Sequence, residues 1–131
     1  MRVAATIARY LLGLIFTVFG LNGFLHFIPA APPSSPLALQ FLTVLTASHY
    51  MMPVFAVQLV GGLLLLSGRY VPLALAILAP VIFNILTYHL TMDPGGIILG
   101  LIALICWSIV FASVRSNFRG LFESRTTPRP V

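Results

Sequence analysis

The pattern of apolar and polar positions divides the chain into long apolar runs separated by short punctuated breaks. The first run covers about 3–28, with Arg9 as its only charged residue, close enough to the end for its guanidinium to snorkel to the headgroups. Pro29, Pro32, Pro33 and Pro36 stop it and make a stiff loop. The segment 37–49 then places Leu37, Phe41, Leu45 and Ser48 at helical spacing, with Gln40, Thr43 and Thr46 between them. It is too short to span and predicts an interfacial helix. A second apolar run covers 52–67 and closes at Ser67-Gly68-Arg69-Tyr70; because it is short, Tyr50 and Met51 are expected to extend it. A third covers 72–91, with Pro72 suited to a first turn and Pro80 at its middle, where a bend is expected. Asp93-Pro94-Gly95-Gly96 reads as a tight turn, and the fourth run covers 96–114.

Each crossing of a bilayer needs roughly 20 apolar residues. The chain of 131 residues therefore holds four crossings, short loops and a tail, with no room for a second domain. Composition agrees: 60% of residues are hydrophobic and only 7% charged, where a soluble domain carries about 25%. The expected class is an all-α integral membrane protein, a four-helix bundle over residues 1–114 with a short interfacial helix between the first two crossings. The competing reading of the first run is a secretory signal, with Arg2 and Arg9 as its basic region and Ala30-Ala31 as small residues; the stretch from Tyr10 to Ile28 exceeds the roughly 7 to 15 residues of a signal core.

Charge then sets an orientation. All seven basic residues are Arg, and Arg2, Arg9, Arg69, Arg115, Arg119, Arg125 and Arg129 fall on one side of a four-crossing chain, against Asp93 on the other. Both termini are expected in the cytoplasm of a bacterial inner membrane, with the basic tail 115–131 at anionic headgroups, interfacial at first and then disordered. The net charge of +5 reads as topology, so nucleic acid is not an expected partner. Helices one and three also show a faint repeat, Arg9-Tyr10 leading to Asn22 and His26 as Arg69-Tyr70 leads to Asn84 and His89. If real, it implies two parallel hairpins, though its unequal spacings also fit coincidence.

Polar side chains inside hydrocarbon are the candidates for chemistry: Asn22, His26, Gln58, Asn84, Tyr88 and His89. With the orientation above, all of them fall in the outer half of their helices, which predicts a polar pocket near the outer face. Asn22 and His26 are four apart and share a helical face, as do Asn84 and Tyr88. His89 lies about 140° around an ideal helix from Asn84, which argues against both pointing at one centre unless Pro80 loosens the helix. The blander reading makes the amides interhelical glue, worth about 0.6 kcal/mol each, and leaves His26 and His89 solvated at the interface or in structural hydrogen bonds. Haem ligation by the two histidines has no further ligand to support it. His49 is expected at the outer surface.

Gly61 and Gly62, and the stripe Gly96, Gly100 and Ala103, predict close helix packing, within the bundle or between two copies. Trp107 lies too deep for a headgroup belt, so it packs in the core or faces a ligand. The lone Cys106 reads as a small packing residue and excludes an internal disulfide or a two-cysteine relay. No crossing holds a carboxylate, which argues against proton-coupled export. No Ser-His-Asp set, metal cluster or Gly-rich phosphate loop is present, and Asp93 reads as a turn residue.

The run Arg9-Tyr10-Leu11-Leu12-Gly13-Leu14-Ile15-Phe16 to Gly20-Leu21-Asn22-Gly23-Phe24, then Gly61-Gly62-Leu63-Leu64-Leu65-Leu66 with Gly68-Arg69-Tyr70-Val71-Pro72-Leu73-Ala74, then Ala79-Pro80-Val81 with Asn84 and His89, resembles the DoxX family of small bacterial membrane proteins. The resemblance covers about 6–114 and implies a four-helix membrane bundle related to membrane subunits of thiosulfate:quinone oxidoreductases and of thiol and redox-homeostasis complexes. It matches Asn22, Asn84 and His89 to polar helix residues of the family. Gln58 falls where Glu is expected in many members, and a neutral amide exchanges no proton. The expectation is a subunit of a quinone-linked or redox-homeostasis complex whose outer-leaflet pocket takes a quinone-like amphiphile. No redox centre is encoded in the chain, so catalysis would require that quinone or a redox partner subunit. The alternatives are a non-enzymatic anchor that assembles with a partner or as a homo-oligomer, and a small-solute transporter.

Overall fold

The computed structural model describes residues 1–124 and Pro128, and every regular element among them is helical. In chain order these are α1 (Arg2–Leu25), α2 (Pro36–Ala47), α3 (Met51–Ser67), α4 (Val71–Thr91) and α5 (Ile97–Val114), with 3-10 turns at Pro94–Gly96 and Arg115–Phe122. Three helical stretches are long and apolar enough to cross a membrane: α1, α4, and α5 with its flanking turns. A fourth is added if α2 and α3, bent by 86° at the break between them, count as one span.

Local chemistry sets the boundaries. The predicted first run of 3–28 stops at Leu25, because His26 adopts a left-handed conformation at φ 52° and its N–H returns to the Asn22 carbonyl at 2.8 Å. Glycine is the usual residue at that position. The interfacial helix begins at Pro36 rather than 37, with Ser35 as N-cap: its Oγ accepts from the Ala38 N–H at 3.1 Å. It ends at Ala47 rather than 49. The helix read over 52–67 begins at Met51, and at 17 residues it is the shortest of the four long helices. Gly68, at φ 69°, closes it.

The four long helices form a closed ring of neighbours, α1 against α3 and α5, and α4 against α3 and α5. The α1–α3 seam is the most extensive, and glycines make it so. A methyl group placed on Gly20 would sit 2.7 Å from the Leu59 nitrogen, and one on Gly62 would sit 2.5 Å from the Thr17 nitrogen. Gly61 backs onto Leu78 of α4, and Gly100 lies against Ile85 and Leu86. The small residues, including buried Ala103, meet neighbours inside the bundle.

At the end of the bundle opposite α2, Arg9 donates to the Leu65 carbonyl in the last turn of α3, and its guanidinium lies 4.4 Å from the Tyr10 ring centre. Arg9 thus clamps the end of α3, placed where a cation meets the negative end of the helix dipole. The two Arg-Tyr pairs are placed differently, Arg9-Tyr10 within α1 and Arg69-Tyr70 in the α3–α4 turn, with Tyr70 at φ 53°. Trp107 lies in the core, donating to the Leu75 carbonyl at 2.9 Å and stacking on Phe111 at 5.0 Å. Phe111 in turn holds Phe118, so the tail begins as a packed 3-10 turn. Arg125 and Arg129 lie outside the described residues.

The core comprises Leu12, Phe16, Leu65, Leu75, Leu78 and Val110. The outer face is equally apolar: Phe83 and Ile98 are 70% and 68% exposed, with Leu14, Leu63 and Ile105 beside them in kind. A surface of that character is stable against lipid and unstable against water. The chain is a membrane protein.

Candidate functional site

The turn that follows α4 and the loop that precedes α2 are sewn together by polar groups. Ser34 donates to the Asp93 carboxylate from both its hydroxyl and, at 3.2 Å, its backbone N–H. Ser35 donates to the Met92 carbonyl at 2.6 Å. These bonds hold the Asp93 carboxyl below the usual carboxylate range, chiefly through the Ser34 hydroxyl, then the Ser34 amide, with the nearby His89 adding to them against a small desolvation penalty. The expected turn residue therefore has a partner. With Phe41 stacked on Tyr88 at 6.0 Å, the clasp lays α2 across the end of the bundle as a cover.

Two cavities lie beneath that cover. One, of about 890 Å³, is bounded by α2, α3 and α4 and lined by Gln58, Asn84, Tyr88 and His89 among apolar neighbours. The other, of about 650 Å³, reaches from α1 to α5 and is lined by Asn22, His26, Gln58 and His89. All six residues singled out from the sequence face one cavity or the other, and Gln58 and His89 face both. Asn84 and His89 line the same cavity, contrary to the expectation from their angular separation. The space is wide enough for α4 to present two sides to it, so no single centre is needed.

The six differ in what they leave free. Asn22 does not share a helical face with His26, which stands beyond the helix end; its Oδ1 accepts from the Ile28 N–H at 2.6 Å and ties down the loop. Asn84 donates through Nδ2 to the Pro80 carbonyl at 2.8 Å and keeps Oδ1 uncommitted. His89 places Nδ1 at 2.8 Å from the Asp93 carbonyl oxygen. A carbonyl only accepts, so Nδ1 is the donor in this bond. The ring is seated against Gly96, whose lack of a side chain makes room for it. Gln58 is the one buried polar residue among those described, at 7% exposed, and its amide has no hydrogen-bond partner among the described residues.

Sequence reading missed Ser34, Ser35 and Phe41, which build the cover. Two serines ahead of Pro36 are a helix-start signal that was legible; their reach to residues 92 and 93 was not, because it spans more than fifty positions. His49 is exposed as expected and also lines the second cavity, in a left-handed conformation at φ 59°. No group of three or more His, Cys, Asp or Glu among the described residues is placed to hold a metal ion. No protein family, curated protein or solved structure matches this chain.

Proposed function

We propose that the chain is a four-span protein of DoxX type in a bacterial inner membrane, with both termini cytoplasmic, and that its paired cavities bind a quinone-like amphiphile on behalf of a redox-linked complex. The observation that carries this reading is Gln58, a side chain 7% exposed that makes no hydrogen bond among the described residues and fronts both cavities. Its amide is left open to the cavity space, where a ligand's polar head can reach it and both donate and accept. The 890 Å³ cavity falls in the range of about 300 to 1,000 Å³ typical of small-molecule sites, and its few polar groups among apolar walls suit a polar head on an apolar tail. The Glu expected at position 58 by the family resemblance is replaced by Gln, which favours binding over proton exchange at this site.

The test is extraction in mild detergent and mass spectrometry of what travels with the protein, native against the double variant Gln58→Leu, His89→Ala. A quinone or defined amphiphile held by the first and lost from the second is the expected result. Bulk lipid alone in both would overturn it and leave the anchor reading.

A further inference from the structure

The wall that α4 gives to the larger cavity is made of two stripes. Ile77, Val81, Ile85 and Tyr88 line it from the inner side, buried or half-buried. Pro80, Asn84, Thr87 and Thr91 line it as well, and all four are exposed. Spaced by three and four, these four share one helical face, so the cavity wraps around α4 onto its outer side. Pro53 of α3, also exposed, lines the same space. The cavity is therefore a recess that opens sideways between α3 and α4. Its end toward α2 is covered, since Phe41 stacks on Tyr88 at 6.0 Å and Ser35 holds the Met92 carbonyl at 2.6 Å.

Depth decides what meets the opening. The helix α4 is long and apolar enough to cross a membrane, and Pro80 stands eleven residues before its end at Thr91. At 1.5 Å per residue that is about 16 Å, against a hydrocarbon half-thickness of about 15 Å. The opening thus runs to about the middle of the bilayer, where lipid chains are the surrounding medium. The polar side chains on the open stripe suit that medium. Asn84, Thr87 and Thr91 donate to the carbonyls of Pro80, Phe83 and Thr87, each four residues back, at 2.8, 2.8 and 2.7 Å. Such a bond serves a polar group that has no water beside it.

We infer that the larger cavity is loaded from the bilayer, sideways between α3 and α4, and takes an amphiphile whose chain lies along the stripe from Pro80 to Thr91 while its head reaches Gln58. This rests on the reading of the cavities as an amphiphile site and deepens it. The ligand is drawn from lipid in the leaflet on the α2 side, and it does not pass beneath α2.

A decyl-benzoquinone with a diazirine at the far end of its chain tests the route in nanodiscs holding the full chain. Labelled residues are mapped by mass spectrometry, with and without an excess of plain decyl-benzoquinone as competitor. Adducts that the competitor removes are expected at Ile77, Pro80 and Val81, the deep end of the recess. Adducts at Ile98 and Ile105, exposed on α5, are expected to resist competition as bulk contacts do. Thr87→Trp fills the opening from an exposed position and is expected to abolish the competed adducts. Fastening α2 through Ser34→Cys and Asp93→Cys, joined by dibromobimane in a Cys106→Ala chain, is expected to leave them in place. Competed adducts confined to Phe16, Phe19 and Phe55 of the smaller cavity overturn the sideways route and keep the amphiphile reading. Competed adducts that survive Thr87→Trp, or that vanish when α2 is fastened, do the same. No competed adduct anywhere overturns both.

Discussion

Gln58→Leu separates a binding residue from a structural one by the sign of its effect on stability. Leucine is close to glutamine in volume, and the site is 93% buried, so the substitution changes polarity with little change in packing. If the amide served as interhelical glue, losing it would cost about 0.6 kcal/mol and up to about 1.7. It has no protein partner among the described residues, and its amide opens onto the cavities, so the change removes a polar group from mostly apolar walls without breaking a protein hydrogen bond. Gln58→Leu is therefore expected to leave the empty protein as stable as before or more stable by up to about 1 kcal/mol. The same change is expected to weaken ligand binding. Trp107, the one tryptophan in the chain, is stacked on Phe111 and reports unfolding through its fluorescence. Titration of the reconstituted protein with sodium dodecyl sulfate, followed at that residue, gives the free energy. A loss of stability of about 0.6 kcal/mol or more would refute the reasoning and return Gln58 to a structural role.

Gly20→Ala puts a methyl 2.7 Å from the Leu59 nitrogen and 3.0 Å from the Phe55 carbonyl oxygen, neither of which can rotate away. The same titration is expected to show a loss of about 1 to 3 kcal/mol, with Gly95→Ala, which meets nothing within 4 Å, unchanged. Arg9→Met removes the charged donor at the end of α3 and is expected to cost about 1.5 to 3 kcal/mol, the range for hydrogen bonds from ionised groups; no loss would mean that the guanidinium only reaches for headgroups. The Asp93 carboxyl titrates lower in the folded chain than in the unfolded one, so the clasp to Ser34 is intact above the ordinary carboxylate value of about 4 and is lost as pH falls through the lowered folded value. The protection of the Ser34 and Ala38 amides, their exchange rate divided into the intrinsic base-catalysed rate at each pH, is expected to stay flat from neutral pH down to about 5 and to fall below the carboxylate range, and Asp93→Asn should abolish that acid step. Protection that falls already between pH 7 and 5 would point to a different titrating group.

Much of the fold was legible because the bilayer forces apolar runs of fixed length and leaves few places for polar residues. The four long helices, the short cover helix and the six polar side chains followed from that constraint alone. What escaped was pairing at long range. Arg9 and Leu65 are 56 positions apart, and Ser34 and Asp93 are 59 apart; nothing local marks either pair. The angular argument that set Asn84 against His89 failed because it assumed a point-like centre where there is a broad cavity. The shared face assigned to Asn22 and His26 failed because a histidine took the left-handed helix end that glycine normally fills. Gly13, Gly20 and Gly23 were visible in the sequence, but which helix they meet depends on rotation about the axis, which apolar periodicity does not fix in a helix apolar all round.

The seam between α1 and α3 bears on how the chain is made. At 17 residues α3 falls short of the roughly 20 that settle a helix across a bilayer unaided. Its place is prepared by α1, synthesised earlier, whose glycines accept its backbone and whose Arg9 meets its final turn. The order of synthesis thus becomes part of the design: a short segment leaves the ribosome when the surface that retains it is already in the membrane. A circular permutant that delivers α3 before α1 keeps every contact in the finished bundle and loses that head start, so its defect should appear in the yield of inserted protein rather than in the stability of the molecules that reach the end.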